Sequence, residues 1–150
     1  FKARVPAGTK SVTGKALKKD VIWTFSTPAP NVKTRIPNQY SGPQRRDQLM
    51  YIAFDQAIDA EAVLSKISVL GAGRTLKTRM ATAEEIAADP SIAAVSKQEQ
   101  PGRWLAFRAV NSDGGTDALP GGSVINVIVH AGTPSAEGPL KSEIDQSSWF

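Results

Sequence analysis

The single histidine, His130, is the first residue to consider for chemistry, because an imidazole can act as a general base or bind a metal. A serine hydrolase needs the imidazole held between a serine and a carboxylate, and a metal site usually recruits several ligands. His130 lies in a segment that recurs near the N-terminus, where Pro6 takes its place. Chemistry that depends on imidazole would not tolerate proline there, so we expect His130 to have a structural role.

Clustered carboxylates would suit calcium binding or acid–base catalysis. Residues 113–117, Asp-Gly-Gly-Thr-Asp, are rich in oxygen ligands but lack the ligand spacing of an EF-hand loop, which favours a surface turn. Glu84 and Glu85 fit the first turn of a helix, where the helix dipole stabilises negative charge. Asp55 and Asp59 flank a predicted turn. We therefore predict no catalytic residue, no cofactor and no metal site.

Composition narrows the classes of function. The 150 residues are 41% hydrophobic and 21% charged, as is common for one globular domain, or one domain plus a remnant. The net charge of +4 is spread out and forms no basic stripe between aromatic residues, so we expect no nucleic-acid partner. The absence of cysteine excludes disulfides and thiolate sites. No apolar run approaches the ~20 residues of a membrane helix, so we expect no direct membrane insertion by this segment.

A ten-residue pattern occurs twice, at residues 5–14 and 129–138. Val, Ala, Gly, Thr, Ser and Gly recur in register at a separation of 124 residues. Two further correspondences fall within one or two positions: Leu17 with Leu140, and Trp23-Thr24-Phe25 with Trp149-Phe150. A long fixed period is typical of repeated modules.

The repeat divides the chain into three parts. Residues 1–27 are predicted to be the C-terminal strand hairpin of a preceding module, and residues 31–150 the next module, truncated in its last strand. Residues 28–30 form the linker, where Pro28 and Pro30 impose extended backbone. The chain is therefore expected to be a piece of a longer protein. Because open strand edges invite pairing, we expect the hairpin to dock on the second module or on a neighbouring molecule.

Alternation of apolar and polar residues predicts β-strands along most of the chain. The predicted strands cover residues 20–26, 31–36, 48–54, 67–70, 75–80, 103–109 and 123–131. In the first of them, Val21, Trp23 and Phe25 share one face, which predicts a half-buried strand. The last is β-branched nearly throughout, which favours a central position in a sheet.

Capping signals predict short helices between these strands. A helical insertion over about residues 82–96 opens with a capping box at Thr82 and Glu85 and restarts at Asp89-Pro90. A further short helix is capped by Asp59. The predicted fold is therefore mainly β: an antiparallel β-sandwich with a short helical insertion.

Residues 103–108 place Trp104 and Arg108 on the face opposite Leu105 and Phe107. One interpretation is an exposed Trp104–Arg108 patch that contacts a neighbouring module, since Trp and Arg are typical interface anchors. The other is a strand buried on both faces, with arginine at its ends. The sequence leaves both interpretations open.

Several segments resemble modules of one protein family. Residues 5–28, which contain Val5-Pro6-Ala7-Gly8-Thr9 and Trp23-Thr24-Phe25, resemble the closing hairpin of bacterial Ig-like modules. They are especially similar to modules of bacterial alpha-2-macroglobulin-like proteins. Phe54-Asp55-Gln56-Ala57-Ile58-Asp59, residues 103–107 and residues 133–140 are similar to the module that follows in that family.

The resemblance implies that the antiparallel β-sandwich is Ig-like. It also implies a large periplasmic lipoprotein, attached to the inner membrane, that traps proteases by means of a bait segment and a thioester. Without cysteine this chain cannot form the thioester, so no site residue carries over. The chain would be a non-catalytic structural module that acts as scaffold for the bait and thioester domains. Its partners would be neighbouring modules and, through the parent protein, target proteases.

Two alternatives belong to other functional classes. The chain would be a tandem Ig-like module of a bacterial surface adhesin or ligand-binding protein, or a glycan-binding accessory domain of a hydrolase. The first predicts many near-identical repeats in the parent protein. The second requires an exposed platform of aromatic side chains.

Overall fold

The computed structural model describes every residue from 1 to 150 and contains two antiparallel β-sheets. β1 (Lys2–Val5) and β2 (Val21–Thr24) form a two-stranded sheet. The other seven strands are β3 (Val32–Ile36), β4 (Met50–Phe54), β5 (Ile67–Gly71), β6 (Arg74–Met80), β7 (Trp104–Val110), β8 (Ile125–Val129) and β9 (Gln146–Trp149). They are hydrogen-bonded in the order β3-β4-β7-β6-β5-β8-β9. The predicted mainly β, antiparallel sandwich fold is confirmed.

β6 joins the two halves of the seven-stranded sheet. Its first residues, Arg74–Leu76, pair with β5, and its last, Lys77–Met80, pair with β7. The sheet folds over until its edge strands approach each other, where the Val32 N–H donates to the Gln146 side-chain oxygen at 2.8 Å. The seven strands thus form a nearly closed layer around one interior. We call this sheet and the helices together the body.

The main core fills the space between the two halves. Met50, Ile52 and Phe54 of β4 point into it, as their alternation predicts, and Leu105 and Phe107 reach it from β7. All five are at most 2% exposed. Full burial of each such side chain contributes about 1.5–3 kcal/mol, so the period-two pattern is the main determinant of the sandwich.

A smaller core lies on the outer side of β4 and β7. There Tyr51, Ala53 and Ala106 are buried beneath the helical insertion, with Ile92 as the fully buried helical residue. Every residue of β4 is buried as a result. The helices therefore make β4 a strand with two buried faces, which an antiparallel sheet otherwise rarely has.

The helices begin where their caps predict. They are α1 (Ala60–Leu64), α2 (Ala83–Ala88) and α3 (Pro90–Gln98). Thr82 and Glu85 form the predicted capping box, and Asp89 accepts from the first turn of α3. α3 continues past the predicted end because the next helix-breaking residue is Pro101. No helix is long and apolar enough to cross a membrane.

β8 has a partner on each side, β5 and β9, but lies second from the sheet edge. Its side chains alternate between buried and accessible, with Val127 and Val129 in the core and Asn126 exposed. The prediction of a central strand is therefore correct in pairing but not in burial. The outer face of β8 has no helix over it, so only one face of its β-branched run is buried.

The N-terminal hairpin of β1 and β2 stands apart from the body. Its strands pair only with each other, and all four residues of β2 are exposed. Trp23 and Phe25 lie on one face as predicted, yet they are 48% and 55% exposed. The expectation of a half-buried strand is wrong in this structure. Docking on the second module is also wrong, because neither strand joins the seven-stranded sheet.

Glu85 forms ion pairs with two arginines, Arg79 and Arg108. Its carboxylate accepts from both terminal nitrogens of Arg79, at 2.8 and 2.6 Å, and from Arg108 at 2.5 Å. Hydrogen bonds from Arg79 above all, with further ones from the Thr82 N–H and Arg108, lower the pKa of Glu85 to about 2. Arg108, only 9% exposed, also donates to the Asp47 carbonyl. Glu85 thus neutralises a buried cation.

We expect Glu85→Gln to lower the free energy of unfolding by about 2–3 kcal/mol at pH 7, because Arg108 would stay buried without an anion. The glutamine oxygen can still accept the Thr82 N–H, so the helix cap is retained. Since the folded pKa is about 2, below the ordinary 4.5, the wild-type advantage is complete above pH 4.5 and disappears as the pH falls towards 2. Urea unfolding at pH 7 and pH 2.5 measures both quantities.

Glu84→Gln, on the exposed side of the same helical turn, is the matched control and should change stability little. Equal losses for the two variants at pH 7, or a Glu85→Gln loss that persists undiminished at pH 2.5, would contradict this account.

Candidate functional site: the N-terminal hairpin

The hairpin of β8 and β9 has the same backbone hydrogen bonds as the N-terminal hairpin. Phe1 and Phe25 exchange two backbone bonds, at 2.5 and 2.9 Å, and Ile125 and Phe150 exchange the equivalent two at 2.9 and 3.1 Å. Phe1 therefore corresponds to Ile125, and Phe25 to Phe150. The separation is 124 residues in the first strands and 125 in the second strands, so the second loop is one residue longer.

The turn after the first strand is also the same in both hairpins. The Gly8 N–H donates to the Leu17 carbonyl at 2.9 Å, and the Gly132 N–H donates to the Ser142 carbonyl at 2.7 Å. Both glycines have positive φ, 85° and 82°, which residues with a Cβ rarely adopt. Leu17 thus corresponds to Ser142, not to Leu140 as the sequence comparison suggested.

A carboxylate holds each turn in place. Asp20 Oδ1 accepts the Ala7 N–H at 2.8 Å, and Asp145 Oδ1 accepts the Ala131 N–H at 2.8 Å. Neither aspartate belongs to the ten-residue sequence repeat, so sequence comparison missed the pair. The signal that could have found it is an aspartate 13 or 14 residues after the alanine of an Ala-Gly-Thr sequence.

The threonine of the repeat explains part of its sequence pattern. Its hydroxyl donates to a carbonyl three residues earlier in both loops, at 2.8 Å from Thr9 to Pro6 and 2.7 Å from Thr133 to His130. The repeat found in the sequence is therefore a repeat of structure. Trp23 and Trp149, however, are not equivalent: by strand register Trp23 takes the place of Ser148.

One face of the N-terminal hairpin is apolar and bare. In the β8–β9 hairpin the same face points into the core, where Ile125, Val127 and Val129 are buried and Phe150 packs against them. The residues at the corresponding positions, which we call the hairpin face, are Phe1, Ala3, Val5, Val21, Trp23 and Phe25. Phe1 is 68% exposed and its ring stacks on that of Phe25 at 5.3 Å. Ala3 and Val5 are half-buried and the other four side chains are exposed, so the hairpin face is a candidate interaction surface.

The linker between hairpin and body is packed, not free. A Cβ added to Gly138 would lie 2.9 Å from the Thr27 Cβ, and the Pro28 carbonyl accepts from Gln56 at 3.0 Å. Pro30 is fully buried. The body thus gives the chain that leaves the hairpin a defined path.

Ser68, His130 and Asp145 form a hydrogen-bonded series outside the hairpin face. His130 Nε2 lies 2.8 Å from Ser68 Oγ, and His130 Nδ1 lies 3.1 Å from Asp145 Oδ2. Hydrogen bonds from the Ala131 N–H and then from His130 hold the pKa of Asp145 below its ordinary value. The order of groups is that of a serine hydrolase triad. Sequence analysis did not pair Ser68 with His130, since nothing local links them.

The repeat indicates a structural role for this series. In the N-terminal hairpin Asp20 holds the equivalent turn without a histidine, and its cation is Arg4 at 2.6 Å. The contact that both hairpins share is the one from the aspartate to the turn, whereas the side chain that bonds the aspartate differs: Arg4 in one hairpin and His130 in the other. A polar cleft of about 620 Å³ lies elsewhere, among residues 36–49 and 85–91.

Trp104 and Arg108 do not form the exposed patch that one interpretation predicted. Trp104 is half-buried and stacks on Tyr51 at 5.5 Å, while Arg108 is drawn inward by Glu85. β7 is buried on both faces from Leu105 onward, as the other interpretation predicted. A contact between Trp104 and a neighbouring module stays a prediction.

The Asp113–Asp117 segment forms a turn in which Asp113 Oδ1 accepts the Gly115 N–H at 3.0 Å. Asp117 pairs with Arg46 at 3.2 Å instead of facing Asp113. No group of three or more histidine, aspartate or glutamate side chains is arranged to hold a metal ion. The hairpin face is therefore the surface that most needs a functional explanation.

Comparison with protein families yields no match for this chain, and comparison with curated proteins yields none at a significant level. The function must therefore be argued from the geometry of the hairpin, the linker and the body.

If Asp145 serves the turn, Asp145→Ala should lower the melting temperature because the Ala131 N–H loses its acceptor. Asp145→Asn should recover most of the loss, since its amide oxygen can still accept that N–H. Glu143→Ala is the control for loss of an exposed carboxylate. Calorimetry of the variants measures the effect, and an Asn variant as unstable as the Ala variant would show that charge, not the turn, is what matters.

We expect Gly138→Ala to loosen the linker, because the new methyl would overlap Thr27. The chain has no cysteine, so spin labels at Lys18→Cys and Lys77→Cys report the distance from hairpin to body. The distance distribution should broaden in Gly138→Ala but not in Gly121→Ala, where an added Cβ meets nothing within 4 Å. If the distance distribution of the spin-labelled chain without this substitution were as broad as that of Gly138→Ala, the linker would not be packed.

Proposed function

We propose that this chain is a non-catalytic structural module of a tandem β-sandwich protein, in which residues 1–27 close a preceding module. One observation carries the proposal: the N-terminal hairpin repeats the closing hairpin of the body while its core-facing side is bare. A hairpin of this kind is complete only with a second sandwich. The packed linker supports a scaffold role, because it sets the path between consecutive modules.

The parent that we propose is a periplasmic, inner-membrane-anchored lipoprotein of the alpha-2-macroglobulin-like protease inhibitors. The segments that resemble this family support the idea through their roles in this fold. Phe54 is buried in the main core, Asp59 caps α1, and Gly138 packs against the linker. In such a parent the module would hold the bait and thioester domains in place and transmit their rearrangement.

A ligand-binding module of a surface adhesin is the second candidate, and the polar cleft favours it. The cleft is lined by charged side chains that include Arg45, Asp47 and Asp89. Such a lining suits a polar ligand. None of the fourteen residues that line the cleft is aromatic, so the cleft itself does not provide the platform that glycan binding requires.

Protease trapping by the parent protein tests the proposal. Gly138→Ala in the parent should lower the fraction of protease covalently captured several-fold, because the orientation between modules is disturbed, while Gly121→Ala should trap normally. Thiol release after cleavage of the bait separates this effect from damage to the thioester. A parent that captures no protease would refute the inhibitor proposal, and unchanged trapping in Gly138→Ala would refute the scaffold role of the linker.

A further inference from the structure

We infer that the hairpin face docks on a β-sandwich of the same topology whose closing hairpin is missing, with β1 paired to that partner's equivalent of β5. This inference deepens the proposed function and rests on it. The partner is an antiparallel sandwich with a free edge strand and an uncovered apolar interior.

The register follows from the second hairpin. β8 pairs with β5 so that Val127 lies opposite Val69 and Val129 lies opposite Ile67. Because Phe1 corresponds to Ile125, Ala3 takes the position of Val127 and Val5 that of Val129. The outer edge of β1 has no partner in this chain and can form the same ladder.

The two sides of the hairpin differ enough to select this orientation. Lys2 and Arg4 lie on the side opposite the hairpin face and are exposed, as Asn126 is on β8. Docking by the other side would bury the ammonium of Lys2 without an anion and the ion pair of Arg4 with Asp20, and both burials are unfavourable. Only the apolar side can therefore face the interior of the partner.

Two positions show how the partner must differ from the body of this chain. Trp23 occupies the position of Ser148, so the partner needs more space there, and Ala3 in place of Val127 provides part of it. Pro6 occupies the position of His130, whose N–H donates to the Lys66 carbonyl at 2.9 Å. Because proline has no N–H, the ladder with the partner ends at Val5.

A second copy of this chain does not offer the required surface. In each copy β8 already occupies the edge of β5, and its inward face already fills the core. A closing hairpin tethered in the same chain has the advantage over one supplied by another molecule. The partner must therefore be a sandwich without its own closing hairpin.

A fusion protein tests the inference with the full chain present. Residues 28–124 are placed directly before Phe1 of the 150-residue chain. Phe1 then follows residue 124 and takes the place that Ile125 has in the native chain. The hairpin should then close the added strands into a second sandwich. We expect hydrogen exchange of the amides in β1 to slow at least ~100-fold relative to the unfused chain, and acrylamide quenching of Trp23 to fall, measured with Trp104 and Trp149 replaced by Phe.

Two controls keep the test decisive. One alanine inserted between residue 124 and Phe1 turns the opposite side inward and should abolish the protection. Trp23→Ser in the fusion gives this position the residue found at position 148, so that the hairpin can dock even if the Trp23 side chain is too large for the added strands. This variant lacks Trp23, so hydrogen exchange is its only readout. If neither the fusion nor its Trp23→Ser form protects β1, or if the inserted residue makes no difference, the inference is overturned.

The concentration dependence of dimerisation and of β1 protection tests whether a second copy of the chain covers the hairpin face. If the unfused chain dimerises in sedimentation and protects β1 at high concentration, the hairpin face binds a second copy and the inference is wrong. The fusion tests the partner of the hairpin, whereas protease trapping by the parent protein tests the proposed function, so either can fail without the other. Loss of protease trapping in the Gly138→Ala parent would still support the scaffold role, but with a different partner for the hairpin.

Discussion

The apolar side of a β-hairpin has to be covered, and this constraint explains both ends of the molecule. In the β8–β9 hairpin the constraint is met inside the chain, because β5 pairs with β8 and Val127 and Val129 complete the main core. In the N-terminal hairpin it is not met, and Phe1, Trp23 and Phe25 remain in solvent. The same supersecondary unit thus occurs once with its apolar face covered by the core and once with that face exposed.

The turn of each hairpin is stabilised locally, which allows it to keep its shape without a core. An aspartate accepts the alanine N–H, a glycine takes positive φ, and a threonine hydroxyl bonds a nearby carbonyl in both copies. These contacts do not depend on the remainder of the sandwich. That independence explains why the N-terminal hairpin has the same turn as the buried one, and why the side chain that bonds the aspartate can be Arg4 in one hairpin and His130 in the other.

The helical insertion covers a second apolar sheet face, which would otherwise be exposed. α2 and α3 cover the outer face of β4 and β7, where Tyr51 and Ala106 are buried. The cover brings Arg108 into the interior, and Glu85 supplies the anion that this burial requires. Because Glu85 also caps α2, one side chain links the helix start to the charge balance of the strand below.

The sequence by itself determined the antiparallel sandwich, the faces of β4 and β7, the starts of the helices and the existence of the repeat. These follow from alternation, from capping residues and from glycine at positive φ, all of which act between residues close in the chain. Only the tertiary structure decided that Trp23 corresponds to Ser148, that Arg108 is buried, and that Ser68 meets His130. Such contacts join residues far apart in sequence, and their geometry depends on strand register and on which surfaces the body leaves uncovered.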